Sequence, residues 1–276
     1  MKLCRDGICA TVQLAAHGQS ARLDEAHKLA EQVQQQKPDN PAGYSLEGDT
    51  SLARKDYPAA LAAFERAHKL QPSGALLIRQ FQVLTASQRA EEGEKRLANW
   101  LATHPQDAAI RAALAESLLK SGQHSAAVEH YLILNKSNPD NLLVLNNLAW
   151  SLLESKDSRA LGYAEQALKL KPDNPAVMDT LGWILIQRGQ SKRGIKLLQQ
   201  ALSKAPDAGD IQYHYAAALA KNGDKARARQ ELDQLLRSGL DFSQKPAALA
   251  LMQTLQTREV KSCNDIPLLP PYSSQH

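Results

Sequence analysis

The groups best suited to recognition lie in short stretches that echo one another. NNLAW carries Asn146, Asn147 and Trp150; DTLGW, 33 residues later, carries Asp179, Thr180 and Trp183 in the same slots, and Tyr213, His214 and Ala217 form a third copy. Amides, a carboxylate and an imidazole beside flat apolar rings supply directional hydrogen bonds next to a stacking surface. A groove for an extended peptide or a sugar chain needs that combination. The same indoles at helical spacing also suit packing between helices, since large aromatics fill cores more often than they hold ligands. Both roles are open for Trp150 and Trp183, whereas Asn147, Asp179 and His214 are read as groove-facing.

Catalytic chemistry has no comparable set. The chain contains no His-Glu-x-x-His, no Gly-x-Ser-x-Gly and no phosphate-cradling glycine loop. His124 and His130 fall on different faces of a helix, and EEGE at 91–94 reads as a solvated face. Cys4, Cys9 and Cys263 fit neither a disulfide framework nor a zinc spacing. A non-enzyme is expected, without catalytic residue, metal or cofactor.

The elements that carry the echoing stretches follow from proline. Pro38, Pro72, Pro105, Pro139, Pro172 and Pro206 are separated by 34, 33, 34, 33 and 34 residues. Before each stands a small residue at a constant distance: Ala26, Ala60, Gly93, Ala127, Ala160 and Gly194. Between these anchors run two apolar stripes of helical period, one for example over 176–187 and the next over 191–204. Gly122, Gly189 and Gly223 stand where a left-handed residue ends the first helix of a pair, while ESKDS reads as a shorter turn. KPDNP, at 37–41 and 171–175, places a capping residue before a first-turn proline. Small residues at the crossing let two helices approach closely, and larger ones such as Phe64 and Tyr131 fill the space beside them. One hairpin cannot bury its own faces, so neighbours must stack.

This pattern resembles the tetratricopeptide repeat (TPR), best in residues 43–72. The resemblance implies an all-α, right-handed superhelix (an α-solenoid) of about seven hairpins with a C-terminal capping helix. The array is expected over 7–239, the capping helix over 240–256 and a disordered tail over 257–276. The third unit, with Gly93 and Trp100, reads as degenerate. NNLAW, DTLGW and YHYA further resemble the C-terminal repeats of bacterial TPR lipoproteins of the PEP-CTERM/exosortase system. That likeness implies a scaffold in envelope protein sorting or exopolysaccharide production, in the periplasm or cell envelope. The alternative is the TPR portion of an enzyme such as a glycosyltransferase whose catalytic domain is absent here. The first unit begins abruptly, which reads as part of a longer array or a truncated start.

In such a fold the first helices line the concave groove, so Asn146, Asn147, Trp150, Asp179, Thr180, Trp183, Tyr213 and His214 are the expected binding residues. The partner expected is a protein, an extended peptide or a component of a polysaccharide system. A clamp for C-terminal carboxylates needs paired cations on neighbouring first helices, and Ala112, Glu116, Ala176 and Thr180 supply none. With a net charge of +4 and signs interleaved, no nucleic acid is expected. The basic cluster Arg188, Lys192, Arg193 and Lys196 reads as a solvated edge. MKLCRDGICATVQLAAHG has no sustained apolar run, so it does not read as a signal peptide, and no stretch is long and apolar enough to span a membrane. Compartment and oligomeric state are left open by the residues.

Overall fold

The computed structural model describes residues 19–264, with side chains over 22–256. Fourteen helices and no strand occur among them. After α1 (Gln19–Gln36) come six hairpins. They are α2 (Pro41–Ala53) with α3 (Tyr57–Leu70), α4 (Gly74–Ala86) with α5 (Ala90–Thr103), and α6 (Ala108–Lys120) with α7 (His124–Ser137). Then follow α8 (Leu142–Glu154) with α9 (Ala160–Leu170), α10 (Pro175–Gln187) with α11 (Ser191–Lys204), and α12 (Gly209–Lys221) with α13 (Lys225–Arg237). The helix α14 (Lys245–Asn264) closes the series. The all-α expectation holds. The first helix expected of the first unit falls at 7–18, outside the described residues, and α1 stands where the second helix of that unit is expected. At the other end α14 starts later than the expected cap and keeps residues 257–264 helical, where a disordered tail was expected.

Local chemistry sets the hairpin limits. Asn40, Ser73, Asp107, Asn141 and Asn174 cap successive first helices, each side chain accepting a hydrogen bond from a first-turn backbone N–H. Such a cap is worth about 1 kcal/mol. Between the two helices of each hairpin one residue adopts the left-handed conformation. Glycine serves at Gly122, Gly189 and Gly223, but Lys55 (φ 62°), Gln88 (φ 62°) and Lys156 (φ 57°) serve equally. ESKDS is therefore not a shortened turn. It carries the same left-handed residue, and the connection is longer because α9 starts only at Ala160. The Asp157 carboxylate accepts from the Arg159 backbone N–H at 2.9 Å and from its guanidinium at 2.8 Å, which holds the would-be first turn out of the helix.

The small residues do what close crossing requires. A Cβ on Gly194 would stand 2.8 Å from the Gly182 carbonyl oxygen, and one on Gly48 would stand 2.6 Å from the Phe64 ring. Gly93 in the degenerate repeat makes room for Phe81, whose Cδ2 would lie 2.6 Å from an added Cβ. Ala60, Phe64, Ala127, Tyr131, Ala160 and Leu198 are all buried.

The chain divides into two compact units, Met1–Leu134 and Asn135–His276. In the first, Ala60, Leu61, Phe64, Val83 and Leu84 form a core between α3 and α4. In the second, Leu145, Ala167 and Val177 join α8, α9 and α10. A larger core runs from Ile186 and Leu198 through Tyr215, Leu219, Leu232 and Leu235 to Met252 and Leu255 of α14.

Candidate aromatic and imidazole site on the first helices

Within the second unit the first helices α8, α10 and α12 pack side by side in chain order, with α10 touching both others. Their shared register brings five of the expected site residues together. His214 of α12 is the hub: its Nδ1–H donates to both carboxylate oxygens of Asp179 on α10, each at 2.9 Å. The imidazole lies against Trp183 of α10, centroids 4.9 Å apart and planes 17° from parallel. On α8, Trp150 approaches it at 5.4 Å with a 33° tilt, and neighbouring Tyr213 stands at 5.7 Å.

This cluster is partly core and partly surface. His214 is 4% exposed and Asp179 8%, so the polar pair is a floor, while Trp150, Trp183 and Tyr213 are half-buried around it. Burial pushes the Asp179 carboxyl above its ordinary range, with the hydrogen bond from His214 pulling the other way and Asp210 adding a little repulsion. Burial likewise raises the Tyr213 phenol. A hydrogen-bonded polar pair this deep is costly to desolvate, and removing one partner leaves the other unsatisfied. The described hydrogen bonds of His214 go to Asp179 alone, so no serine or cysteine completes a nucleophile–base relay there.

The remaining expected residues flank this floor. Thr180 is buried beside Asp179. Asn146 and Asn147 are half-buried on α8, and the Asn146 Oδ1 is enclosed without a hydrogen-bond partner among the described residues. Sequence reasoning missed Leu143, which precedes Asn147 by one helical turn and is 66% exposed. Leu143, Asn147 and Trp150 therefore share one face of α8. An apolar residue at a solvent-facing slot was the available signal. At the rim, Lys221 of α12 donates to Gln187 of α10 at 2.7 Å and ties the two first helices together.

The first unit fills the equivalent slots differently. Asp49 of α2 meets Arg79 of α4 at 3.4 Å, and Asp49 is raised by burial with Arg79 pulling it down. Ala112 and Glu116 occupy α6, where Glu116 pairs with Lys120 at 2.6 Å. No group of histidine, cysteine, aspartate or glutamate suited to a metal ion occurs among the described residues. No described helix is long and apolar enough to cross a membrane.

Known proteins share this architecture. Models of the tetratricopeptide repeat match residues 8–155 and 185–255. The Vi polysaccharide export protein VexE of Salmonella typhi is 27% identical over 220 residues, covering 76% of this chain but only 33% of its own length. A tetratricopeptide repeat protein from Parabacteroides merdae superposes with a TM-score of 0.67 at 13% identity, over 88% of each chain. PilF of Pseudomonas aeruginosa superposes with a TM-score of 0.58 at 17% identity, over 86% of this chain and 99% of its own.

Proposed function

The chain belongs to the tetratricopeptide repeat family, and from that premise we propose that it is a non-catalytic scaffold that docks a protein partner on the first-helix face of its second unit. The half-exposed row of Leu143, Asn147, Trp150, Trp183 and Tyr213, set on the buried His214–Asp179 floor, carries the reading. Tryptophan and tyrosine anchors next to amide groups are the residue types that dominate binding energy at protein interfaces. The ionic contacts that fill the same slots in the first unit satisfy one another and leave less for a guest.

The partner belongs to a bacterial envelope apparatus that handles polysaccharide. Two likenesses favour this: the NNLAW, DTLGW and YHYA stretches, and the sequence shared with a polysaccharide export protein. The chain spans about a third of that relative's length. Two experiments test the parts separately. Changing Asn147 and Tyr213 together to Ala should abolish co-purification of the partner from the native host while leaving the melting temperature within a few degrees. Unchanged co-purification sinks the site. Deleting the gene should lower surface polysaccharide, and a full polysaccharide coat in its absence sinks the envelope role.

A further inference from the structure

Among the described second helices α11 alone contains no acidic residue. The acid-free span is longer still: none occurs between Asp179 and Asp207, where Arg188, Lys192, Arg193, Lys196 and Lys204 fall. The helix buries Gly194, Leu198 and Ala201 and exposes Lys192, Arg193, Lys196, Gln199, Gln200 and Ser203. Neighbouring helices answer only part of this charge. Arg193 meets Glu165 of α9 at 3.0 Å, and Lys204 meets Asp173 at 2.8 Å. Lys192 and Lys196 have no ion-pair partner among the described residues, and they stand one turn apart on the same face. Like charges at that spacing destabilise a helix, and cations in a first turn oppose its dipole. An anion from outside the chain would relieve both costs.

The side chains around the lysines indicate which anion. The exposed face of α11 offers amides and a hydroxyl but no apolar side chain to anchor a peptide, and no ring on which a nucleic-acid base could stack. Cations followed along the same helix by groups that both donate and accept hydrogen bonds fit a chain of hydroxyls and carboxylates. We propose that the outer face of α11 binds an acidic polysaccharide through its carboxylates. The surface is distinct from the first-helix face, so this goes beyond the partner-docking reading.

The test uses the full chain with alginate oligosaccharides as probe, followed by calorimetry at low and at physiological salt. Alginate should bind, weakening steeply as salt screens the charges. Carboxyl-reduced alginate should not bind. Changing Lys192, Arg193 and Lys196 together to Gln should weaken binding about tenfold or more, since three charge-assisted contacts are lost. Those side chains are exposed, so the melting temperature and partner co-purification should stay as in the parent chain. Equal alginate affinity in parent and variant overturns the proposal, as does no binding at low salt. Poly-L-glutamate or single-stranded DNA binding as tightly as alginate at matched charge overturns it too, by marking the face as one for another class of chain. Any of these results leaves the first-helix site standing.

Discussion

The two units use one backbone plan and two side-chain chemistries. In the first, the slots on α2, α4 and α6 hold Ser45 and Asp49, Arg79 and Val83, and Ala112 and Glu116. In the second, the same slots on α8, α10 and α12 hold Asn146 and Trp150, Asp179 and Trp183, and Tyr213 and Ala217. Asp49 and Arg79 meet at the edge of solvent, where an ion pair is worth little. Asp179 and His214 meet under aromatic rings, where a polar pair demands its partner and fixes the rings in place. A repeat that only spaces helices tolerates the first arrangement. The second holds Trp150 and Trp183 against one imidazole.

Breaking the buried pair should give the largest effect. His214→Ala removes the ring packed against Trp150 and Trp183 and leaves the Asp179 carboxyl without its hydrogen-bond partner, so unfolding by urea should report a loss of about 3–5 kcal/mol. A loss below 1 kcal/mol would mean the pair is not the floor described. Next comes Asp179→Ala, which leaves the His214 Nδ1–H without an acceptor and should cost about 1–3 kcal/mol. Asp179→Asn keeps an acceptor and should cost less. The two differ in pH dependence. Because burial raises the folded pKa of Asp179, its contribution to stability is fullest below the unfolded value of about 3.9 and fades as pH rises through the folded value. Stability of the parent chain relative to Asp179→Asn should therefore decline on going from acid to neutral pH. A rise over that interval would reverse the sign.

Smaller effects are expected in the first unit. Arg79→Ala should cost about 1 kcal/mol, because the guanidinium it removes is partly exposed even though burial raises its Asp49 partner. A loss equal to that of His214→Ala would erase the contrast between the units. Smallest of all, Gln88→Gly and Lys156→Gly should each stabilise by about 0.5–1 kcal/mol, through relief of a left-handed non-glycine residue. One lies in each unit, so similar gains would show that the turns are common to both and only the faces differ.

Much of the fold was legible because proline, capping residues and small crossing residues each have one dominant physical use. The limits of α11 coincide with the stretch read from its apolar period. The left-handed turns at Lys55, Gln88 and Lys156 were not legible, since neither residue type prefers that conformation and the tight hairpin imposes it. At the site, the cluster of residue types was legible and their arrangement was not. Aligning repeats sets Asp179 beside Tyr213, yet its carboxylate meets His214, the next residue, because side chains lean along the helix and touch diagonally across neighbours. That diagonal turns two groups read as groove-facing into the floor beneath it. Leu143 is hidden in the sequence because its apolar character matches the run of Leu142, Val144 and Leu145 around it.

The most direct test places a photo-crosslinking amino acid at Leu143, on the face of α8, and separately at exposed Glu116 on α6, with crosslinking in the native host. One dominant protein adduct is expected from position 143, lost when Asn147 and Tyr213 are changed to Ala, and little from position 116. Equal adducts from both positions, or an adduct from 143 that survives the double change, would contradict docking on that face.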